Sequence, residues 1–281
     1  YGSIAAPPES WYTGGGGEDT PMKRKRMRYL WWTLAVLFLC AAVVAALFYT
    51  GVLKFNNPSR NTYPVRGVDV SSYQGTIDWE VLSSQNIQFA FIKATEGSGF
   101  VDPCFVDNLA GASETSLYIG AYHFFSFESS GKTQAENFIA AVPRKQGMLP
   151  PVVDVELYGD FQKQPPDAEA VRTELEIMLT ALEEHYGVRP LLYVTEKSFE
   201  LYIHGALESY DIWLRNILRE PDQYFRFWQY TSRERLDGYS GREPYIDMNV
   251  FNGSQDEFQA YVDGLSPVAA VLGFSGGCCD G

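Results

Sequence analysis

"PVVDVELYGD", Pro151 to Asp160, places two carboxylates one residue apart at the end of an apolar run. Val152, Val153 and Val155 are β-branched, so the stretch reads as a buried strand. Pro150 and Pro151 stand just before it, where proline is tolerated. Side chains at i and i+2 of a strand share a face. Asp154 and Glu156 should therefore project side by side, just ahead of a loop of Tyr158, Gly159 and Asp160. Two acids crowded into a half-buried place are costly unless chemistry uses them.

Around this strand the chain from Val65 alternates short apolar runs with helical stretches. The candidate strands are "VRGVDV" (65–70), "QFAFIK" (88–93), "YIGAYHF" (118–124), "PVVDVE" (151–156) and "PLLYV" (190–194). The clearest helix is 167–186. It has an acidic first turn, apolar positions at Val171, Leu175, Met178, Leu179 and Leu182, and Gly187 just past its end. Asp78 is expected to cap a first helix that starts at Trp79. Strands alternating with helices predict an α/β fold, with a parallel sheet and right-handed crossovers. After Val194 the spacing tightens to "DIWLR" (211–215), "RFWQY" (226–230) and "YIDMNVF" (245–251). Eight strands in this order predict a TIM-like barrel whose last third has lost its helices.

Such barrels build their active sites at the C-terminal ends of the strands. Strand one brings Asp69, Ser71 and Tyr73, and strand two Lys93 with Glu96 beyond it. Strand three brings Tyr122 and His123, and strand four Asp154 and Glu156. Strand five carries Tyr193, strand seven Trp228 and Gln229, and strand eight Asp247 and Asn249. Carboxylates walled by aromatic rings suit a carbohydrate, because rings stack on sugar faces while the acids supply proton transfer. Single residues carry little weight. Asp69 alone could cap a turn. Lys93 fits a charge partner of the acids better than a nucleophile, and His123 fits a hydrogen-bonded core position. The weight lies in the joint placement.

The rest of the chain bounds the partners. The net charge of −13 argues against nucleic acid. Residues 1–55 hold six basic and three acidic residues, and the remainder 16 basic and 32 acidic. Cys40, Cys104, Cys278 and Cys279 form neither a disulfide framework nor a zinc pattern, and the three histidines are scattered. No metal and no cofactor are therefore expected. Residues 1–28 read as a disordered, Gly-rich tail ending in a basic cluster (Lys23, Arg24, Lys25, Arg26, Arg28). Tyr29 to Leu53 carries no charge and is long enough to cross the ~30 Å hydrocarbon core. A cleaved signal peptide is the rival, but its apolar region is usually only ~7–15 residues. The basic flank predicts a single-pass protein of the cell membrane, with its N-terminus cytoplasmic and the rest outside. Residues 54–64 read as a linker, 65–263 as the barrel and 264–281 as an unassigned tail. A monomer is expected.

The motifs "RGVDVSSYQGTIDW", "FAFIKATEG", "IGAYHFF", "PVVDVE", "LLYV", "FWQY" and "IDMNVF" resemble, in this order, those of the glycoside hydrolase family 25 lysozymes. The resemblance spans about Val65 to Tyr261. It implies a (β/α)5(β)3 barrel and an N-acetylmuramidase that cuts the β-1,4 bond between N-acetylmuramic acid and N-acetylglucosamine in peptidoglycan. It also implies that Glu156 is the catalytic acid, with Asp154, Asp69 and Asp247 as the other site acids. Substrate-binding candidates are Tyr73, Lys93, Glu96, Tyr122, Tyr193, Trp228, Gln229 and Asn249. Two rivals stand beside this reading. A family 18-type chitinase would need a further Asp two residues before Asp154, where Val152 stands. A membrane-tethered barrel that only binds wall glycan would have no need of all four acids.

Overall fold

Parity along the strands decides which residues fill the barrel and which face its helices. The computed structural model describes residue 2, residues 21–54 and residues 56–265. The Gly-rich N-terminal stretch and the tail with Cys278 and Cys279 lie outside the described residues. Two units emerge, Tyr1–Val52 and Leu53–Gly281.

The first unit contains α1 (Pro21–Tyr49), a helix of 29 residues with almost every described side chain exposed. It is long and apolar enough to cross a membrane between Arg24 and Tyr49, with a mean hydropathy of 2.4 in its most apolar stretch. The helix starts earlier than Tyr29, so the basic cluster forms its first turns rather than part of a disordered tail. Cationic side chains on straight aliphatic stems are good helix formers, and nothing between Pro21 and Tyr29 breaks the pattern. The helix ends at Tyr49, short of Leu53, ahead of Gly51 with φ 71°.

The second unit is a closed sheet. Its strands are β1 (Arg66–Val70), β2 (Phe89–Glu96), β3 (Phe100–Val101), β4 (Tyr118–Phe124), β5 (Val152–Val155), β6 (Leu191–Thr195), β7 (Asp211–Arg215), β8 (Phe227–Glu234) and β9 (Ile246–Phe251). The order β1-β9-β8-β7-β6-β5-β4-β2 closes through a β1–β2 pairing, giving eight barrel strands. β3 is a short addition that turns back antiparallel onto the end of β2. Strands β1, β2 and β4 to β8 run parallel, each to its neighbours within that set. The expected all-parallel sheet is corrected at β9, which is antiparallel to both β8 and β1. The loop between β8 and β9 contains no helix, so the chain reverses directly, as a hairpin must.

Helices α2 (Trp79–Ser83), α3 (Phe105–Ser113), α4 (Gly131–Ala141) and α5 (Ala168–Tyr186) cover the first half. Asp78 caps α2 by accepting from Val81 N, as its sequence position predicts. α5 is capped by Asp167, buries Val171, Leu175, Met178, Leu179 and Leu182, and ends at left-handed Gly187. Between β6 and β9 the only helical segments among the described residues are α6 (Glu196–Ser198) and a π turn (Phe199–Ile203). α7 (Gln255–Gly264) closes the barrel floor, with Phe258 against Phe89, Phe251 and Tyr118 at 5.9, 5.1 and 5.3 Å between ring centres.

Outward-facing residues such as Val68, Ile92, Val153 and Leu192 pack under the helices. Inward-facing Phe89, Phe91, Val152, Leu191, Trp213, Phe227 and Phe251 fill the barrel. Two glycines make room for that aromatic layer. A Cβ on Gly67 would sit 2.3 Å from the Phe89 ring, and one on Gly120 2.4 Å from Phe91. Residues 54–64 are not a free linker. Lys54 pairs with Glu234, Asn56 Nδ2 donates to Asn216 O at 3.1 Å, Pro58 O accepts from Arg66, and Tyr63 packs on Phe225 and Trp228.

Candidate active site

One buried carboxylate anchors the mouth. Asp69 Oδ2, near the end of β1, accepts from Asn249 Nδ2 at 2.8 Å and from Gln229 Nε2 at 2.9 Å. Each donor is itself held. Trp213 Nε1 donates to Asn249 Oδ1 at 2.8 Å, and the Tyr193 hydroxyl donates to Gln229 Oε1 at 3.0 Å. Five strands thus fix one carboxyl group, and only alternate residues of each can reach it. Asn249 and Gln229 therefore belong to the support of Asp69 rather than to a surface open to ligand, since both are almost fully buried.

Asp247 reaches the mouth because β9 is reversed. Its strand start, not its end, lies opposite the end of β1, and Asp69 and Asp247 are register partners. Asp154 in β5 and Glu156 just beyond it share the inward face; Asp154 responds to the charges of Glu156 and Asp69, and Glu156 to that of Asp69. Asp154 Oδ1 is buried with no hydrogen-bond partner among the described residues. A buried acceptor left unpaired is expensive. Either a proton on the carboxyl or a donor from a ligand removes that cost.

Burial dominates the electrostatics. It raises Asp154 and Asp247 well above the ordinary carboxylate range, Asp154 with help from Glu156 and Asp247 with help from Asp69. Burial also raises Asp69, but its Asn249 and Gln229 donors pull the other way. Asp69 is therefore the member of the Asp69–Asp247 pair best able to hold a negative charge. Glu156 is raised by burial, against the opposing charge of Arg215. Tyr122 and Tyr193 are pushed far up by burial and by neighbouring carboxylates, so both hydroxyls keep their protons.

Lys93 Nζ pairs with Glu96 at 2.7 Å and lies 5.0 Å from the Phe124 ring centre. Tyr73 stands exposed on the turn after β1. His123 faces away from the mouth. It is fully buried, with Nδ1 2.7 Å from Thr95 Oγ1 and Nε2 3.0 Å from Gln134 Oε1. Trp228 is the site candidate that the structure removes. It sits beside Gln229, so the two must face opposite ways, and it packs outside the barrel on Tyr63, Phe225 and Tyr230 with Nε1 donating to Asn216 O. The sequence reading passed over Arg215 and Trp213. Both lie in "DIWLR", two residues apart on the inward face, and that parity was the available signal. A cavity of about 430 Å³ lies elsewhere, between α4, α5 and the 143–149 loop. It contains none of the acids described here. Among the described residues no group of three or more His, Cys, Asp or Glu side chains is set to hold a metal ion.

Known proteins similar to this chain point to one family. A family 25 glycosyl hydrolase structure from Bacillus anthracis is 50% identical, covering 74% of this chain and 97% of that one, with a TM-score of 0.70. Lysozyme M1 of Streptomyces globisporus is 30% identical over 69% of this chain and 70% of its own length. An N,O-diacetylmuramidase of Arthroderma benhamiae is 26% identical, over 71% of this chain and 87% of its own length. Residues 68–239 match the family described as glycosyl hydrolases family 25, more than half of the chain, and the protein with this acid-lined barrel mouth therefore belongs to that family and is a glycoside hydrolase.

Proposed function

We propose that the protein is a peptidoglycan muramidase that cuts the β-1,4 bond following N-acetylmuramic acid. The observation that carries this is the pairing of Asp154 and Glu156 on one inward face, with Asp154 Oδ1 unpartnered and a braced Asp69 nearby. The names of the Streptomyces and Arthroderma relatives, a lysozyme and a diacetylmuramidase, support the substrate class.

Glycoside cleavage needs a proton for the leaving oxygen and negative charge near an oxocarbenium-like centre. Glu156, half-buried and with the longer side chain, extends toward the mouth and serves as the acid. Burial raises its pKa, which favours the protonated form that a general acid needs. Asp154, deeper and more confined, is held toward its protonated form by burial and by Glu156 in the free site; a donor from the sugar favours its charged form, which stabilises developing positive charge. Asp69 supplies fixed negative charge, and Asp247 is the protonated partner that donates to it. Tyr122 and Tyr193 keep hydroxyl protons beside the acids. Tyr73 and the Lys93–Glu96 pair line the outer mouth, where glycan units beyond the scissile bond would lie.

The N-terminal helix anchors this enzyme to the cell membrane in the same proposal. The basic residues from Lys23 to Arg28 precede the apolar stretch and favour a cytoplasmic N-terminus. The barrel then faces the cell's own wall.

Zymography on peptidoglycan, with mass spectrometry of the soluble fragments, tests the activity. Clearing with new reducing ends on N-acetylmuramic acid is expected. Reducing ends on N-acetylglucosamine would assign a different bond, and no clearing would favour the glycan-binding alternative. Protease added to intact protoplasts tests the topology. The barrel should be shaved and the N-terminal tail spared.

A further inference from the structure

Arg215 closes β7 on the same inward face as Trp213, whose ring stacks on Phe91 at 4.5 Å between centres. It lies in register between Thr195 of β6 and Gln229 of β8. Gln229 in turn holds Asp69, so Arg215 stands at the rim of the acid cluster. The guanidinium is half-buried, yet among the described residues it makes no hydrogen bond and no ion pair. The other cation at this mouth, Lys93, is already paired with Glu96. Burial raises Asp69, Asp154, Glu156 and Asp247, and the charge of Arg215 opposes that in each, while no hydrogen bond or ion pair joins it to any of them among the described residues. A structural arginine in such company would be expected to fork onto one of the carboxylates. This one keeps its fork unspent, facing the cleft.

We propose that Arg215 is an anion-recognition residue of the cleft, binding a carboxylate carried by the muramic unit of the glycan. This rests on the muramidase reading above and narrows it. An N-acetylmuramic unit bears a carboxylate on its lactyl ether when free of peptide, and carboxylates on its stem peptide when substituted. N-acetylglucosamine bears neither. A planar guanidinium takes a carboxylate through two parallel hydrogen bonds and distinguishes the two sugars.

The test uses the full chain in detergent and reads binding apart from turnover. Titration calorimetry compares Glu156→Gln with the Glu156→Gln, Arg215→Met double variant on three ligands. These are peptide-free muramyl strands, the same strands with the lactyl carboxylate amidated, and muropeptide-bearing strands. Loss of a charge-assisted pair should weaken binding roughly 10- to 100-fold. The expected result is that loss on whichever ligand carries the recognised carboxylate, and little change on the amidated strands. Loss on the peptide-free strands assigns the lactyl group, and loss confined to the peptide-bearing ones assigns the stem. Arg215→Lys should recover part of the affinity, because it keeps the charge without the fork. Equal weakening on amidated and free strands would overturn the proposal and leave Arg215 as a regulator of the acids. So would unchanged binding throughout. Should the enzyme open no peptidoglycan, the muramidase reading fails while these titrations still decide Arg215.

Discussion

Asp69 of β1 and Asp247 of β9 occupy facing positions across an antiparallel seam, both inward and both at the barrel mouth. Two carboxylates at that separation cannot both ionise cheaply. The donors decide between them. Asp69 receives Asn249 and Gln229, whereas Asp247 is raised well above its ordinary value by burial and by the charge of Asp69. Asp247→Asn keeps a donor in place and should retain activity within about tenfold. Asp69→Asn removes the fixed charge and should lower kcat by about 10²–10⁴-fold, the range typical of a lost catalytic group. Steady-state rates on purified glycan strands check this. Equal losses would show that the pair shares its proton.

Asn249 offers a second handle on the same charge. Asn249→Ala deletes a donor to Asp69 and strands the Trp213 indole N–H in the barrel interior. A buried donor left unpaired costs about 1–3 kcal/mol, which urea denaturation should register. The pH dependence should move as well. Fewer donors to the charged form raise the Asp69 pKa further, so ionisation needs a higher pH. The acidic limb of the kcat/KM profile should shift upward. An unmoved limb would exclude Asp69 as the group that sets it.

The strands and the α5 helix were legible because each rests on short-range rules, whereas Asp69 and Asp247 entered as site acids through the family resemblance. Alternation places Asp154 with Glu156, and the α5 pattern ends at a glycine in the left-handed region. What escaped depends on chain direction and parity taken together. Nothing local in "YIDMNVF" says that β9 runs backward, yet that reversal is why Asp247 rather than Phe251 meets the mouth. Trp228 and Gln229 cannot share a face, and the barrel chose the amide because Asp69 needs a donor. Arg215 stood in plain view, but its significance lies in what it does not touch.

His123 carries a stability prediction. Gln134 Oε1 can only accept, so Nε2 bears the proton and Nδ1 accepts from the Thr95 hydroxyl. The site holds a neutral ring, and burial lowers the pKa from 6.5 to about 4. Between those values the unfolded chain binds a proton that the folded one refuses. Stability therefore falls as pH drops through that window. From pH 7 to pH 5 the loss from this residue should be about 2 kcal/mol by that linkage. Urea midpoints at the two pH values, compared with those of His123→Asn, isolate the effect. A variant with the same pH slope as the wild type would remove His123 as its source.

Gly131 begins α4 where that helix crosses α5. A Cβ there would lie 1.8 Å from Glu174 O, a backbone atom that cannot swing aside. The Gly131 N–H also donates to Glu174 Oε2 at 2.6 Å. Gly131→Ala must push the helices apart, although alanine favours helix elsewhere. Overpacking of this kind costs about 1–3 kcal/mol. Thermal unfolding should show a lower midpoint, with kcat on glycan unchanged because the contact is remote from the acids. A midpoint at or above the wild-type value would mean that the two helices are free to separate.

Glu156 and Asp154 share a face but differ in reach and surroundings, and leaving-group chemistry can separate their roles. Glu156 is half-buried, toward the opening, while Asp154 is almost fully buried with one oxygen unpartnered. General acid help is worth about 10²–10⁴-fold, so Glu156→Gln should leave only residual turnover on native glycan. An aryl glycoside departs with little need of protonation. On such a substrate Glu156→Gln should recover much of its rate. Asp154→Asn should not, because the positive charge it stabilises develops with either leaving group. The two variants are assayed on both substrates, with the aryl glycoside chosen from those the wild type turns over. Rescue of Asp154→Asn but not of Glu156→Gln would reverse the roles. Failure of both on both substrates would show that the two carboxyls act as one unit, as groups in tight contact often do.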